Sequence, residues 1–351
     1  MEKELNGMDN YLSGLATEHV NEETRNLDRC STLDMVDMIN RQDAKVADAV
    51  AQEKKQIARA VDLICAGLEK GGHLYYLGAG TSGRLGVLDA SECVPTFGVS
   101  PELVQGFIAG GDTALRNAVE GAEDDAEAGA ALVDSLNAGE HDTVVGISAS
   151  GSAPFVRGAL VRARERGCVT VGLCTNKPNK LEALCDVTIA PEVGPEVVSG
   201  STRMKSGTAQ KMVLNMLSTC SMVKLGKVYG NLMVDLRASN VKLRDRAVRL
   251  VRHATGVEAD AAQAALDQAD GHVKLAILMI KTGMDAQAAK LALEKSGGHL
   301  REAIEAAGGR TNERGSSCCR HDVRHVGRRR GRRAGGNQRH GQRAESQAAG
   351  F

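Results

Sequence analysis

Two stretches of the chain put hydroxyls and glycines where the backbone is about to turn, and two others gather carboxylates. Gly78-Ala79-Gly80-Thr81-Ser82-Gly83 stands between an apolar run and a helical pattern, and Ser148-Ala149-Ser150-Gly151-Ser152 follows the apolar run 143–147 in the same way. The first backbone N–H groups of a helix have no partner inside it and carry partial positive charge, so a strand-to-helix turn attracts an anion. Thr81, Ser82, Ser148, Ser150 and Ser152 would add side-chain donors, while Gly78, Gly80, Gly83 and Gly151 would let the backbone close into a cradle. Two such turns in one sheet suit a sugar phosphate. The first also matches the G-x-G-x-x-G dinucleotide fingerprint. However, Glu102, the acid nearest the required distance, precedes the next apolar run, whereas a ribose-binding acid closes a strand. No GK[ST] sequence occurs, which argues against a P-loop and ATP-driven phosphoryl transfer.

The carboxylates lie in LDASEC, with Asp89 and Glu92, and in VEGAEDD, with Glu120, Glu123 and Asp124. Acids on helices are commonly just solvated faces, so position alone leaves their role open. The sequence shows no metal-ligand cluster and no Cys/His pairing in the core, and His73, His141 and His253 are isolated. Carboxylates are then the simplest acid/base repertoire, with no metal and no cofactor expected.

Short apolar runs at 74–77, 103–109, 143–147, 169–173 and 187–190 alternate with amphipathic stretches of helical length. This order predicts an α/β fold, a parallel sheet flanked on both faces by helices. Upstream, residues 1–30 read as an extended arm. Ser31 to Asp34 reads as a helix start, with Leu33, Met35, Val36, Met38 and Ile39 as its apolar face, and a further helix is expected over 46–68. A long helix is expected over 201–225. Residues 240–305 are helical in pattern throughout and hold a repeat: 255–277 aligns without gaps on 282–304, with 11 of 23 positions identical. The expected organisation is an arm and helix over 1–45, an α/β domain over 46–239, a small helical domain over 240–308 and an Arg-rich tail over 309–351.

The 44 basic and 44 acidic residues balance, but unevenly along the chain. Residues 310–351 carry 11 Arg against three acids, a surplus of 8, and hold no Lys, Leu, Ile or Met. Such a segment cannot bury enough apolar surface to offset its ordering entropy, so disorder is expected there. The nine cysteines include no CxxC pair and stand mostly singly in apolar runs, which suits a reducing compartment. The N-terminus lacks a signal pattern, and no apolar run approaches the roughly 18 residues of a spanning helix. A cytoplasmic protein is expected, with no membrane or nucleic-acid partner.

The segments YLGAGTSGRLGVLDASECVPTFGV, IAGGDTALRNAVEGAEDD, VVGISASGSAPFV and GSTRMKSGTAQKMVLNMLSTCSMVKLGKVYGNLMVD closely resemble the N-acetylmuramic acid 6-phosphate etherases of the sugar isomerase fold superfamily. The resemblance spans about residues 10–305 and leaves the tail unmatched. It implies a flavodoxin-like three-layer sandwich and a lyase that splits the D-lactyl ether of its substrate with water. It also implies a homodimer whose chains share each site, with TRMKSGTAQK as a candidate contact. By motif match, Glu92 would be the proton donor and Glu123 the second active-site acid, while Thr81, Ser82, Ser148, Ser150 and Ser152 would hold the phosphate. Two positions depart from the usual pattern, Ala153 where many relatives have Thr and Val94 where Pro is usual; neither removes a proposed acid or base. A phosphosugar aldose–ketose isomerase and a non-catalytic sugar-phosphate regulator are the alternatives on the same fold.

Overall fold

The computed structural model describes residues 11, 13–236 and 241–308, so the Arg-rich tail lies outside the described residues. Five strands form one parallel sheet: β1 (Leu74–Gly78), β2 (Val104–Ile108), β3 (Thr143–Ile147), β4 (Val169–Leu173) and β5 (Val187–Ile189), in the order β2-β1-β3-β4-β5. Each coincides with a run read from the sequence. Their last residues, Gly78, Ile108, Ile147, Leu173 and Ile189, stand in register, so the turns that follow share one edge.

Side chains alternate between the two faces, as the pleat requires. Leu74, Tyr76, Val145, Ile147 and Val171 pack under α1 (Thr32–Gln52), α2 (Lys54–Leu68), α3 (Gly80–Phe97) and α7 (Lys205–Lys224). Tyr75, Leu77 and Val144 pack under α5 (Ala126–Ser135) and α6 (Pro154–Glu165), and the short α4 (Gly111–Arg116) follows β2. The result is the expected three-layer sandwich.

Two expectations upstream need correction. The helix expected over 46–68 is broken at Glu53 (φ −91°, ψ 6°), where the chain turns and buries that side chain against Lys177, with Nζ 2.5 Å from Oε1. No Gly or Pro marks the break. Leu33 and Val36, read as part of an apolar face, are 77% and 59% exposed, because α1 is buried only from Gln42 onward. The arm forms three 3-10 turns and is fastened to the body: Thr17 N–H donates to Asn176 Oδ1 (3.2 Å), Asn21 Nδ2 to Gln42 Oε1 (3.0 Å) and Thr24 Oγ1 to the Val197 carbonyl (2.8 Å).

After a two-stranded hairpin, β6 (Val228–Tyr229) and β7 (Leu232–Met233), five helices close the described chain: α8 (Val241–Thr255), α9 (Ala259–Gln268), α10 (Val273–Thr282), α11 (Ala286–Lys295) and α12 (Leu300–Ala306). They pack on a core of their own, with Val251, Ile277, Leu300 and Ile304 among its buried members. The sequence repeat is a structural repeat. α9 and α11 correspond, α10 and α12 correspond, and both linking turns end in a left-handed glycine, Gly271 (φ +75°) and Gly298 (φ +83°). Nothing lies within 4 Å of where a Cβ at Gly271 would stand, so only the backbone conformation resists a side chain there. Gly271→Ala is expected to cost about 1 kcal/mol of stability, measured as a lower urea midpoint at unchanged m-value.

Candidate active site

In a sheet of this order the chain leaves β1 toward β2 on one side and β3 toward β4 on the other, and the crevice at that reversal is where such folds bind ligands. Both hydroxyl-rich turns flank it. The turn after β1 is very tight: a Cβ at Gly78 would lie 2.7 Å from Gly83 N, and one at Gly83 would lie 2.6 Å from Ile108 Cγ1 and 2.7 Å from Gly78 O. Gly80 opens α3 at φ +52°, and no side chain caps that helix. The N-terminus of α6 likewise has no side-chain cap, whereas α1, α5 and α11 are capped by Ser31, Asp125 and Asp285. The two helix starts beside the crevice therefore keep backbone donors available to an anion.

The second turn carries a chain of hydroxyls. Ser148 Oγ is 3.4 Å from Ser150 Oγ, which is 2.8 Å from Ser152 Oγ and accepts from Ser152 N–H at 3.2 Å. Gly151 (φ +70°) makes the bend. Its outside is held by residues the sequence did not single out. Tyr11 Oη donates to the Ser150 carbonyl (3.0 Å), while Asn176 Nδ2 (2.9 Å) and Thr175 Oγ1 (3.1 Å) donate to that of Ala149. Lys180 Nζ lies 4.3 Å from the centre of the Tyr11 ring. On the other side, α7 brings Gln210 against Ser82, whose Oγ donates to Gln210 Oε1 at 2.9 Å. The TRMKSGTAQK segment thus reaches the first turn from within the same chain. Its helix start is closed internally by Glu196, which is fully buried and accepts from the N–H groups of Lys205 and Ser206, each at 2.9 Å.

The structure separates the two glutamates. Helices α5 and α6 start together at the strand ends, close enough that a Cβ at Gly158 would stand 2.1 Å from the Ala126 carbonyl oxygen. Glu123 sits in the single 3-10 turn just before α5, and Ala122 packs on the cluster that holds Ala109 and Ala153. Glu123 and the serine turn therefore share an edge. Glu123 is exposed, yet the protein beside its carboxyl desolvates it enough to raise its pKa, and the charge of Asp124 adds to the effect. Glu92 is different. It lies twelve residues along α3 from Gly80, about 18 Å at 1.5 Å per residue, and is exposed on the face that also bears Leu88, which is 52% exposed. Its Cα therefore stands well away from the turn at the helix start. One turn before Glu92, Asp89 is buried and accepts from Asn215 Nδ2 at 2.6 Å; burial raises its pKa, partly offset by the hydrogen bond from Asn215.

Among the described residues, no group of three or more His, Cys, Asp or Glu could hold a metal ion, and no helix is long and apolar enough to cross a membrane. Sheet order, crevice and paired turns define an α/β domain of the sugar isomerase type. In keeping with this, residues 124–219 match the SIS domain family, and residues 56–164 match the glucokinase regulatory protein N-terminal SIS domain family. The chain is 57% identical over 269 residues to an N-acetylmuramic acid 6-phosphate etherase of Caldanaerobacter subterraneus subsp. tengcongensis, covering 77% of this chain and 88% of that protein. It is 54% identical over 274 residues to one of Clostridium acetobutylicum, covering 78% and 91%. Among solved structures, a phosphoheptose isomerase from Neisseria gonorrhoeae aligns at 19% identity with a TM-score of 0.42, over 54% of this chain and 98% of that one. The chain belongs to the N-acetylmuramic acid 6-phosphate etherase family.

The glycines of the first turn differ in what they tolerate. Gly83→Ala is expected to cost about 1–3 kcal/mol by overpacking on Ile108 and the Gly78 carbonyl. Gly80→Ala has nothing within 4 Å to meet and should cost only about 1 kcal/mol for its positive φ. Thermal denaturation of the two variants checks the order.

Proposed function

We propose that this chain cleaves the D-lactyl ether at C3 of N-acetylmuramic acid 6-phosphate, giving N-acetylglucosamine 6-phosphate and D-lactate in the catabolism of cell-wall amino sugars. The observation that carries this reading is the pair of hydroxyl-lined, uncapped helix starts at the switch point, in a chain more than half identical to named etherases. Thr81, Ser82, Ser148, Ser150 and Ser152 hold the phosphate together with the backbone at Gly78, Gly80, Gly83 and Gly151. With the sugar ring open, the C1 aldehyde acidifies the C2 proton. A base removes that proton, lactate leaves from C3 with a proton from an acid, and water adds across the C2–C3 double bond to restore a hydroxyl at C3 and a hydrogen at C2.

Glu123 suits the base, since a carboxylate with a raised pKa is the stronger base and this one shares an edge with the phosphate turns. Glu92 then donates the proton to the lactate oxygen. Because it stands so far along α3, it serves the site of a second copy: the working unit is a homodimer, each chain supplying turns and Glu123 to one site and Glu92 to the other. The exposed Leu88 beside Glu92 supports burial of that face by a partner. A charged phosphosugar does not cross a bilayer unaided, so the activity belongs in the cytoplasm.

Glu92→Gln and Glu123→Gln should each lower kcat by roughly 100- to 10,000-fold while substrate binding persists. Mixing the two variants through unfolding and refolding should restore about a quarter of wild-type activity, because heterodimers regain one intact site. A mixture no more active than its parts would show that Glu92 works within its own chain.

A further inference from the structure

Gln210 has no role in the chemistry above, yet its side chain is 1% exposed and lies against Ser82 at the first turn. Its two ends are unequally satisfied. Oε1 accepts from Ser82 Oγ at 2.9 Å, while the Nε2 amide is buried with no hydrogen-bond partner among the described residues. A buried N–H without an acceptor is costlier and rarer than a carbonyl oxygen left short of a donor. The arrangement is also the wrong one for an anion, because the single proton of Ser82 points at Gln210 and leaves only lone pairs for a phosphate.

One half-turn of the amide removes both defects. Turned over, Nε2 donates to Ser82 Oγ and gains the partner it lacks, and the Ser82 proton is free to meet a phosphate oxygen. One helical turn before Gln210 on α7, a Cβ at Gly207 would come within 3.5 Å of Thr81 Cγ2, so this face of α7 packs on the opening of α3.

We propose that Gln210 is a positioning residue for phosphate: with its amide turned so that Nε2 donates to Ser82 Oγ, the Ser82 hydroxyl donates to the phosphate. This rests on the reading of Thr81 and Ser82 as phosphate ligands. It makes Ser82 an acceptor from the protein and a donor to the ligand in the bound state.

Steady-state kinetics with N-acetylmuramic acid 6-phosphate on Ser82→Ala, Gln210→Glu and the double variant test this, with circular dichroism to confirm folding. An ionised glutamate at 210 can only accept, and so keeps the Ser82 proton from the phosphate; because burial favours the neutral acid, which can donate, the kinetics are read at the alkaline end of the working range. Ser82→Ala and Gln210→Glu should each raise KM about 10-fold with kcat within about 3-fold, and the double variant should be no more than about 2-fold worse than either. Gln210→Met has no charge to bury and serves if the glutamate prevents folding; it should raise KM about 3-fold, and only while Ser82 is present. If Ser82→Ala leaves KM unchanged, the phosphate reading of this turn fails and the proposal with it. If Ser82→Ala raises KM but the Gln210 variants do not, or if the effects multiply to about 100-fold in the double variant, the phosphate reading stands and the role of Gln210 is overturned.

Discussion

Where α3 leaves the sheet, neither Gly78 nor Gly83 has room for a single methyl group. A Cβ at Gly83 would collide with Ile108 and the carbonyl of Gly78, and one at Gly78 would collide with Gly83 N. That close approach fixes where α3 begins and how its first N–H groups face the crevice. It also fixes everything the helix carries. Arg84, one residue on, donates to the carbonyls of Ala114 (2.6 Å) and Leu115 (2.9 Å), tying down α4, from whose end the chain runs on to Glu123. Ser82 meets Gln210, Asp89 meets Asn215, and Glu92 is set on the outward face. A helix displaced by one side chain at its origin would displace all of these.

The charges are distributed by the same economy. Of the helix starts near the strand ends, that of α7 is closed by a buried glutamate, and the Lys205 ammonium beneath it donates to the Val193 carbonyl (2.8 Å) and to Gln42 Oε1 (3.1 Å). Burial pulls the pKa of Lys205 down, with Glu196 opposing. Those groups are committed to structure. The starts of α3 and α6 have no side-chain cap and both open beside the switch point, so their backbone donors stand there together with the hydroxyls.

Much of the architecture was legible in the sequence, because each buried strand is a short apolar run closed by polar or glycine residues, and because the repeat in the last helices is written in identities at fixed spacing. The two turns were legible for the same reason: their glycines and hydroxyls are local. What remained hidden depends on partners far along the chain. Apolar spacing marks Leu33 and Val36 as a face without saying what covers it. Glu53 breaks a helix through a lysine 124 residues away. The tyrosine that braces the serine turn is 139 residues from it, and Gln210 is 128 from Ser82. The separation of Glu92 from the turns follows from simple helix geometry, but only once α3 is known to run unbroken from Gly80 past residue 92.

The most direct test of the proposed chemistry is to incubate the protein with N-acetylmuramic acid 6-phosphate in deuterated water, following D-lactate enzymatically and the sugar by NMR. Removal of the C2 proton, elimination and water addition require one lactate released for each N-acetylglucosamine 6-phosphate formed, with deuterium at C2 of that product. Lactate release with C2 fully protonated would contradict proton abstraction, and deuterium exchange with a ketose product and no lactate would make the protein an isomerase.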